Sequence, residues 1–198
     1  MTDHTFGVGD KIVRFGRVYE IFKMVTEEDP FSGKTEEMMY FKPVFEGDDS
    51  RSLICAIPVD NICLTNIRLP MSQAECDQLL ALLDSKYEMK GRFNTRLAKD
   101  VLKTNEPDKI AMMLKKLAIV KRDPDVNFTY TKKTVFRQGL KRLQEEVALV
   151  KGISLEEARK KLIGLLQSQA AQSLPLDDDD DFEADDESLN LCLDEIEE

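Results

Sequence analysis

Tryptophan is absent from this 198-residue chain, and histidine occurs once, as His4. One histidine offers no Cys/His or Ser/His/Asp constellation, so nucleophilic catalysis has little to be built from. Carboxylate pairs decide nothing in a chain with 38 acids, and the expectation is a protein that is not an enzyme. Cysteine is sparse: Cys55, Cys63, Cys76 and Cys192 show no C-x-x-C spacing. Three of them sit among apolar neighbours and read as reduced core thiols, in a cytosolic protein without metal or cofactor. No window approaches the ~18–20 apolar residues of a membrane span. The opening MTDHTFGVGD has neither the basic nor the apolar region of a signal peptide. Gly7-Val8-Gly9 is followed by no helix, so it reads as a turn and not as a phosphate-cradling loop.

What the chain does have is charge sorted by position. Residues 1–66 hold 7 Lys+Arg against 12 Asp+Glu, residues 67–176 hold 21 against 13, and residues 177–198 hold 13 acids and no base. The blocks carry −5, +8 and −13, which sum to the whole-chain −10. The average conceals a basic middle block with an acidic segment on either side. Such a block reads as a polyanion-binding surface accompanied by something that can compete for it.

Residues 6–65 read as short strands. Lys11–Phe15 and Arg17–Met24 are parted by Gly16, and the polar stretch Glu27 to Lys34 reads as a loop. Met38–Phe45 and Leu53–Val59 follow, separated by the turn-forming Glu46-Gly47-Asp48-Asp49-Ser50. Four or five short strands are too few for a sandwich, and a small bent barrel resembling SH3 or Tudor folds is the economical solution. From 70 to 168 the pattern turns helical. Ser72-Gln73-Ala74-Glu75 and Ser154-Leu155-Glu156-Glu157 are capping boxes. Pro107 suits the first turn of a third helix, Thr129 or Thr131 caps a fourth, and Gly152 ends it at a left-handed position. Five helices with short connections make a compact bundle. The expected fold is therefore α+β: a barrel over 1–66, a basic helical domain over 67–168, and a disordered acidic tail over 169–198.

The order of barrel and basic bundle brings several short motifs into line. Phe6-Gly7-Val8-Gly9-Asp10-Lys11-Ile12-Val13 resembles the F-x-V-G-D-x-V-V opening of CarD-like bacterial transcription regulators. Ile57-Pro58-Val59-Asp60-Asn61 resembles that family's V-P-x-x-N, and Ile67-Arg68 the V/L-R that enters its helical domain. Asp108-Lys109-Ile110-Ala111 through Leu117 looks like its third helix; Phe128-Thr129 with Leu140 to Leu149 looks like its L-S-x-x-E helix ending in E-L-A. The resemblance spans about residues 6–168. It implies a monomer whose barrel docks on a lobe of the RNA polymerase β subunit by strand addition. The contact edge would lie near Lys23, Met24, Val25 and Ala56, the last standing where many members carry an arginine. The helical domain would lie against promoter DNA at the upstream edge of the melted region, helping the open complex persist. Members that wedge a tryptophan into DNA have it near the place of Lys90-Gly91-Arg92-Phe93. Phe93 then reads either as a weaker wedge or as core.

Charge alone adds a second argument. Lys133, Arg137 and Lys141 fall at i, i+4, i+8 on the face opposite Phe136, Leu140 and Leu143, with Lys132, Lys121 and Arg122 close in sequence. They read either as a phosphate-tracking patch or as a solvated helix face. Nothing presents a major-groove reading set, so contacts to backbone and shape are expected. The acidic tail carries alternating Leu189, Leu191 and Leu193, then Ile196. They read either as stray leucines or as a docking motif. The tail is also expected to compete with DNA for the basic surface. The alternative function is a polymerase-associated adaptor that does not bind DNA, its tail a DNA mimic or partner ligand.

Overall fold

The computed structural model describes residues 6–28, 33–45, 54–87, 92–123 and 126–168. His4, Lys90, Gly91, the 46–50 turn and the acidic segment 169–198, with its leucines and Cys192, lie outside the described residues. Among the described residues the architecture is α+β: a four-stranded antiparallel sheet followed by five helices. Among the described residues, no helix is long and apolar enough to cross a membrane.

The sheet comprises Lys11–Arg14 (β1), Arg17–Glu28 (β2), Thr35–Pro43 (β3) and Cys55–Pro58 (β4), ordered as in sequence. It is open, with β1 and β4 at its edges, where a closed barrel was expected. Closure needs a fifth strand paired along β1. After β4 the chain instead winds through a 3₁₀ segment, Val59–Leu64, and meets β1 at one isolated bridge. There Val13 N–H donates to Arg68 O at 2.8 Å and Arg68 N–H to Val13 O at 3.1 Å.

Two local expectations are corrected in this region. Phe15, read as the end of a strand, sits in the β1–β2 turn at φ 49°, followed by Gly16 at φ 74°. Two successive positive φ values are the backbone a tight hairpin needs to match strand twist. Glu27 and Glu28, read as loop, continue β2 and pair with Glu36 and Thr35. Their polar composition is overridden by cross-strand partners, since Tyr40 donates its hydroxyl to both Glu27 carboxylate oxygens at 2.9 Å. The Gly7-Val8-Gly9 turn is closed by Asp10, whose carboxylate accepts the Gly7 N–H at 2.8 Å.

The helices are Gln73–Asp84 (α1), Thr95–Lys103 (α2), Pro107–Arg122 (α3), Tyr130–Lys151 (α4) and Leu155–Ser168 (α5). Both capping boxes form: Ser72 with Glu75, and Ser154 with Glu157. Pro107 occupies the first turn of α3, Thr129 caps α4 through backbone alone, and Gly152 ends it at φ 63°. The apolar stripes meet in one cluster that includes Leu79, Leu83, Ile110, Leu114, Leu117, Leu143 and Leu162. Cys76 lies within it as a free buried thiol, and burial pushes that thiol's pKa up. Lys115 is buried beside this cluster. Its ammonium closes the end of α1 by donating to Leu82 O at 2.6 Å, to Ser85 Oγ at 2.8 Å, and to Ser85 O. Burial pulls that lysine's pKa down.

The sheet has its own smaller cluster of Ile12, Ile21, Met39, Phe41 and Ile57. Val13 and Val18 are fully buried yet belong to neither cluster. They pair across β1 and β2 beside a polar seam that joins sheet to bundle. Asn105, buried at φ 57° between α2 and α3, is the hub of this seam. Its Oδ1 accepts the Gly16 N–H at 2.9 Å, and its Nδ2 donates to Val13 O at 3.2 Å and to Asn66 O at 3.0 Å. From α4, Glu145 accepts the Val18 N–H at 2.9 Å. Glu146 grips Arg68 through two bonds of 2.6 Å and accepts the Met71 N–H at 2.7 Å. Buried polar groups left unpaired are costly, and here each of these finds a partner across the seam.

Candidate partner and nucleic-acid interfaces

The register of the sheet sorts the expected contact residues. Lys23, Tyr40 and Ala56 lie in one row across β2, β3 and β4; Val25, Met38 and Pro58 form the next such row. Directly opposed residues share a face of an antiparallel sheet. Met24, Met39 and Ile57 therefore occupy the other face, where Met24 packs against the sheet cluster. So Lys23, Val25 and Ala56 share the outward face, and Met24 points inward.

A bulge at Phe22 shifts the register between Ile21 and Lys23, adding an aromatic to the outward face. The Phe22 and Tyr40 rings stand 6.4 Å apart edge to face; the Lys23 ammonium lies 4.8 Å from the Tyr40 ring and that of Lys42 5.8 Å from Phe22. The hydrogen bond that Tyr40 donates to the Glu27 carboxylate pushes the Tyr40 pKa up. Sequence reading missed this cluster because the bulge that assembles it depends on the partner strand. The same bulge divides β2. From Tyr19 to Ile21 the strand is flanked on both sides, by β3 and by β1 with its preceding turn. Beyond Ile21 no described residue pairs with the flank away from β3. An unpaired strand flank presents free N–H and C=O groups to any incoming strand.

The expected cations of the helical part divide into two sets. Lys133, Arg137 and Lys141 are all exposed on α4. Lys121 is exposed at the end of α3, and the connection 123–129 brings the chain from there to α4. Lys132 folds back to donate to Asn127 O at 2.7 Å. Arg122 is half-buried and donates to Leu166 O, closing the end of α5, and burial pulls its pKa down. Its guanidinium therefore serves the fold first.

Arg92 and Phe93 belong elsewhere. They stand just before α2, where Asn94 caps the helix by accepting from Arg96 N–H at 2.9 Å and Leu97 N–H at 3.2 Å. Phe93 packs partly against the helical cluster and lines an open groove of about 390 Å³ between α2 and α3. The apolar lining continues through Leu97, Val101 and Met112, with Leu97 61% exposed. Arg92, Lys109 and Lys116 also line the groove, with Asp108 as the acidic exception. The signal for this groove was available as the i, i+4 pair of Phe93 and Leu97, but that spacing equally describes a core stripe.

The seam was likewise missed as a site, although three of its members, Arg68, Glu145 and Glu146, lie in the motifs quoted above. Burial outweighs the Val18 N–H and Arg17 in setting the Glu145 carboxyl, whose pKa is raised. Among the described residues, no group of three or more His, Cys, Asp or Glu side chains could hold a metal ion. Compared with protein-family models and with curated proteins, the chain matches none.

Proposed function

We propose that this protein is a transcription regulator of the CarD-like type, with its sheet on the RNA polymerase β subunit and its helices on upstream promoter DNA. The observation that carries this reading is the flank of β2 beyond Ile21, with which no described residue pairs, in a sheet fastened to a helical unit that bears an exposed lysine and arginine row. Strand addition at that flank supplies the polymerase contact through backbone hydrogen bonds, which need no particular side chain. The row Lys133, Arg137 and Lys141 supplies phosphate contacts with no means of reading bases. A barrel of the SH3 or Tudor kind is supported by the return of the chain to β1 at Val13 and Arg68, the first rung of a closing pair.

The test measures each half of this reading in the full chain. Ala56 is exposed on edge strand β4, in the row of Lys23 and Tyr40. Ala56→Arg is expected to tighten binding to the polymerase β lobe about tenfold or more, the worth of a charge-assisted contact of ~1.5–3 kcal/mol. Charge reversal at Lys133 and Arg137 is expected to weaken duplex binding at every sequence and to flatten its salt dependence by about two counterions. An unchanged polymerase affinity removes β4 and the outward row of Ala56 from the contact. Duplex binding indifferent to the reversal leaves the adaptor function.

A further inference from the structure

We propose that the acidic, leucine-bearing segment 186–198 of this chain docks in the groove between α2 and α3, covering Arg92 and Phe93. The proposal concerns where the segment binds and does not depend on polymerase or DNA being the partners.

The groove asks for a ligand with an apolar face and negative flanks. Its lining of Phe93, Leu97, Val101 and Met112 leaves Leu97 61% exposed beside partly buried Phe93 and Val101, an apolar strip open to a ligand. Three cations and one acid surround that lining, a local excess of positive charge. Lys109 is shared with Glu106 at 2.6 Å, so Arg92 and Lys116 carry most of the attraction.

Segment 186–198 reads DESLNLCLDEIEE and contains six acids and no base. Leu189, Cys192, Leu193 and Ile196 fall at i, i+3, i+4 and i+7, the spacing by which an amphipathic helix lays one apolar face into a groove. The acids flank that face on both sides in sequence. The aspartate run at 177–181 has no such spacing of apolar residues, so segment 186–198 is the part of the acidic stretch that matches the lining of Phe93, Leu97, Val101 and Met112.

Reach is not limiting. The Arg122 side chain bonds Leu166, so α5 finishes beside the end of α3. From Arg122 back to Lys116 and Asp108 is about 9 to 21 Å along the helix at its rise per residue. The roughly twenty residues between α5 and Leu189 span about 25 Å even as a flexible coil. Tethering at that length gives an effective concentration of order millimolar, enough to hold a weak helix-in-groove contact.

The experiment records methyl NMR spectra of the full chain and of the double variant Leu193→Glu, Ile196→Glu, which alters no residue of the sheet or bundle. Docking requires shifts confined to the methyls of Leu97, Val101 and Met112, with little change elsewhere. Leu97→Asp must, in return, release the Ile196 methyl to its random-coil position. Added salt must move the wild-type groove signals part of the way toward those of the double variant. Groove methyls that ignore the double variant overturn the proposal. So do shifts centred on α4 near Lys133 and Arg137, which mean a purely electrostatic contact. Groove shifts that vanish on dilution also overturn it, because they assign the segment to a second copy.

Discussion

Strand β2 lives in two environments, and the bulge at Phe22 is the border between them. Its first part, Arg17 to Ile21, pairs with β1 and its preceding turn, with β3 alongside from Tyr19, and is tied to the helices, with Val18 N–H on Glu145 of α4 and the adjoining Gly16 N–H on Asn105. Its second part, Lys23 to Glu28, has β3 on one side and no described partner on the other. The near part is hydrogen-bonded to groups far away in sequence, whereas among the described residues the far part takes its backbone bonds from β3. A strand can thus be anchored at one end and offered at the other, which gives a docking edge without a separate mobile element.

This contrast is broken most severely at the seam. Glu146→Ala removes the buried carboxylate that accepts two bonds from the Arg68 guanidinium and one from the Met71 N–H, leaving Arg68 only the Asn105 and Leu69 carbonyls, and is expected to destabilise by about 3 kcal/mol. Chemical denaturation measures it, and a loss within the range of an ordinary surface change would mean the seam is not a fastening. Next comes Gly16→Ala. A Cβ there would stand 2.2 Å from Arg142 Cγ, in a backbone at φ 74° that L side chains disfavour. The expected loss is ~2–3 kcal/mol, combining overpacking with strain. Arg142→Ala removes Cγ and Cδ but keeps a Cβ 2.4 Å from the new methyl, so it should restore only a small part of the loss; a full rescue would mean that the left-handed backbone at residue 16 costs little.

A smaller effect distinguishes charge from shape at the near part. Because burial raises the Glu145 pKa above its ordinary 4.5, the folded chain holds that proton to higher pH than the unfolded chain does. Stability from this group is therefore lost as pH rises from the ordinary carboxylate range through the raised value, and is level above it. Glu145→Gln should remove that fall, seen as a difference between the two chains in denaturant midpoints across the interval. Carboxylates elsewhere titrate in both chains and cancel. Parallel curves would show that Val18 N–H and Arg17 already compensate the burial. The smallest effect belongs to the far part: Tyr40→Phe removes only an exposed bond to Glu27 and should change stability by no more than about 0.5 kcal/mol. A large loss there would erase the distinction between the two parts of β2.

Features set by near neighbours were legible in the residues themselves. Ser72 with Glu75 and Ser154 with Glu157 announce helix starts because each box closes within one turn; Gly152 and Pro107 act through their own backbones. Phe15 misled because an aromatic after four strand residues reads as a fifth, whereas the turn is imposed by Arg14 pairing with Arg17. Glu27 and Glu28 misled because their strand state is conferred by β3. The open sheet differs from the expected barrel because a strand count does not say which edges meet. At the candidate sites, the residue types were visible and their placement was not. Met24 faces the sheet cluster, Arg122 caps α5, and Arg92 with Phe93 joins a groove on α2 and α3 and not the row on α4.

The bond from Val18 to Glu145 joins residues 127 apart, and that from Gly16 to Asn105 residues 89 apart. During synthesis the sheet therefore leaves the ribosome well before the helix that completes it. At ~5–20 residues per second, the interval is on the order of ten seconds. Through that time Val13 and Val18 have no bundle to cover them, and the flank of β2 is already present. Nascent chains stalled between residues 70 and 145 are consequently the form of this protein most exposed to chaperones and to pairing with the wrong strand.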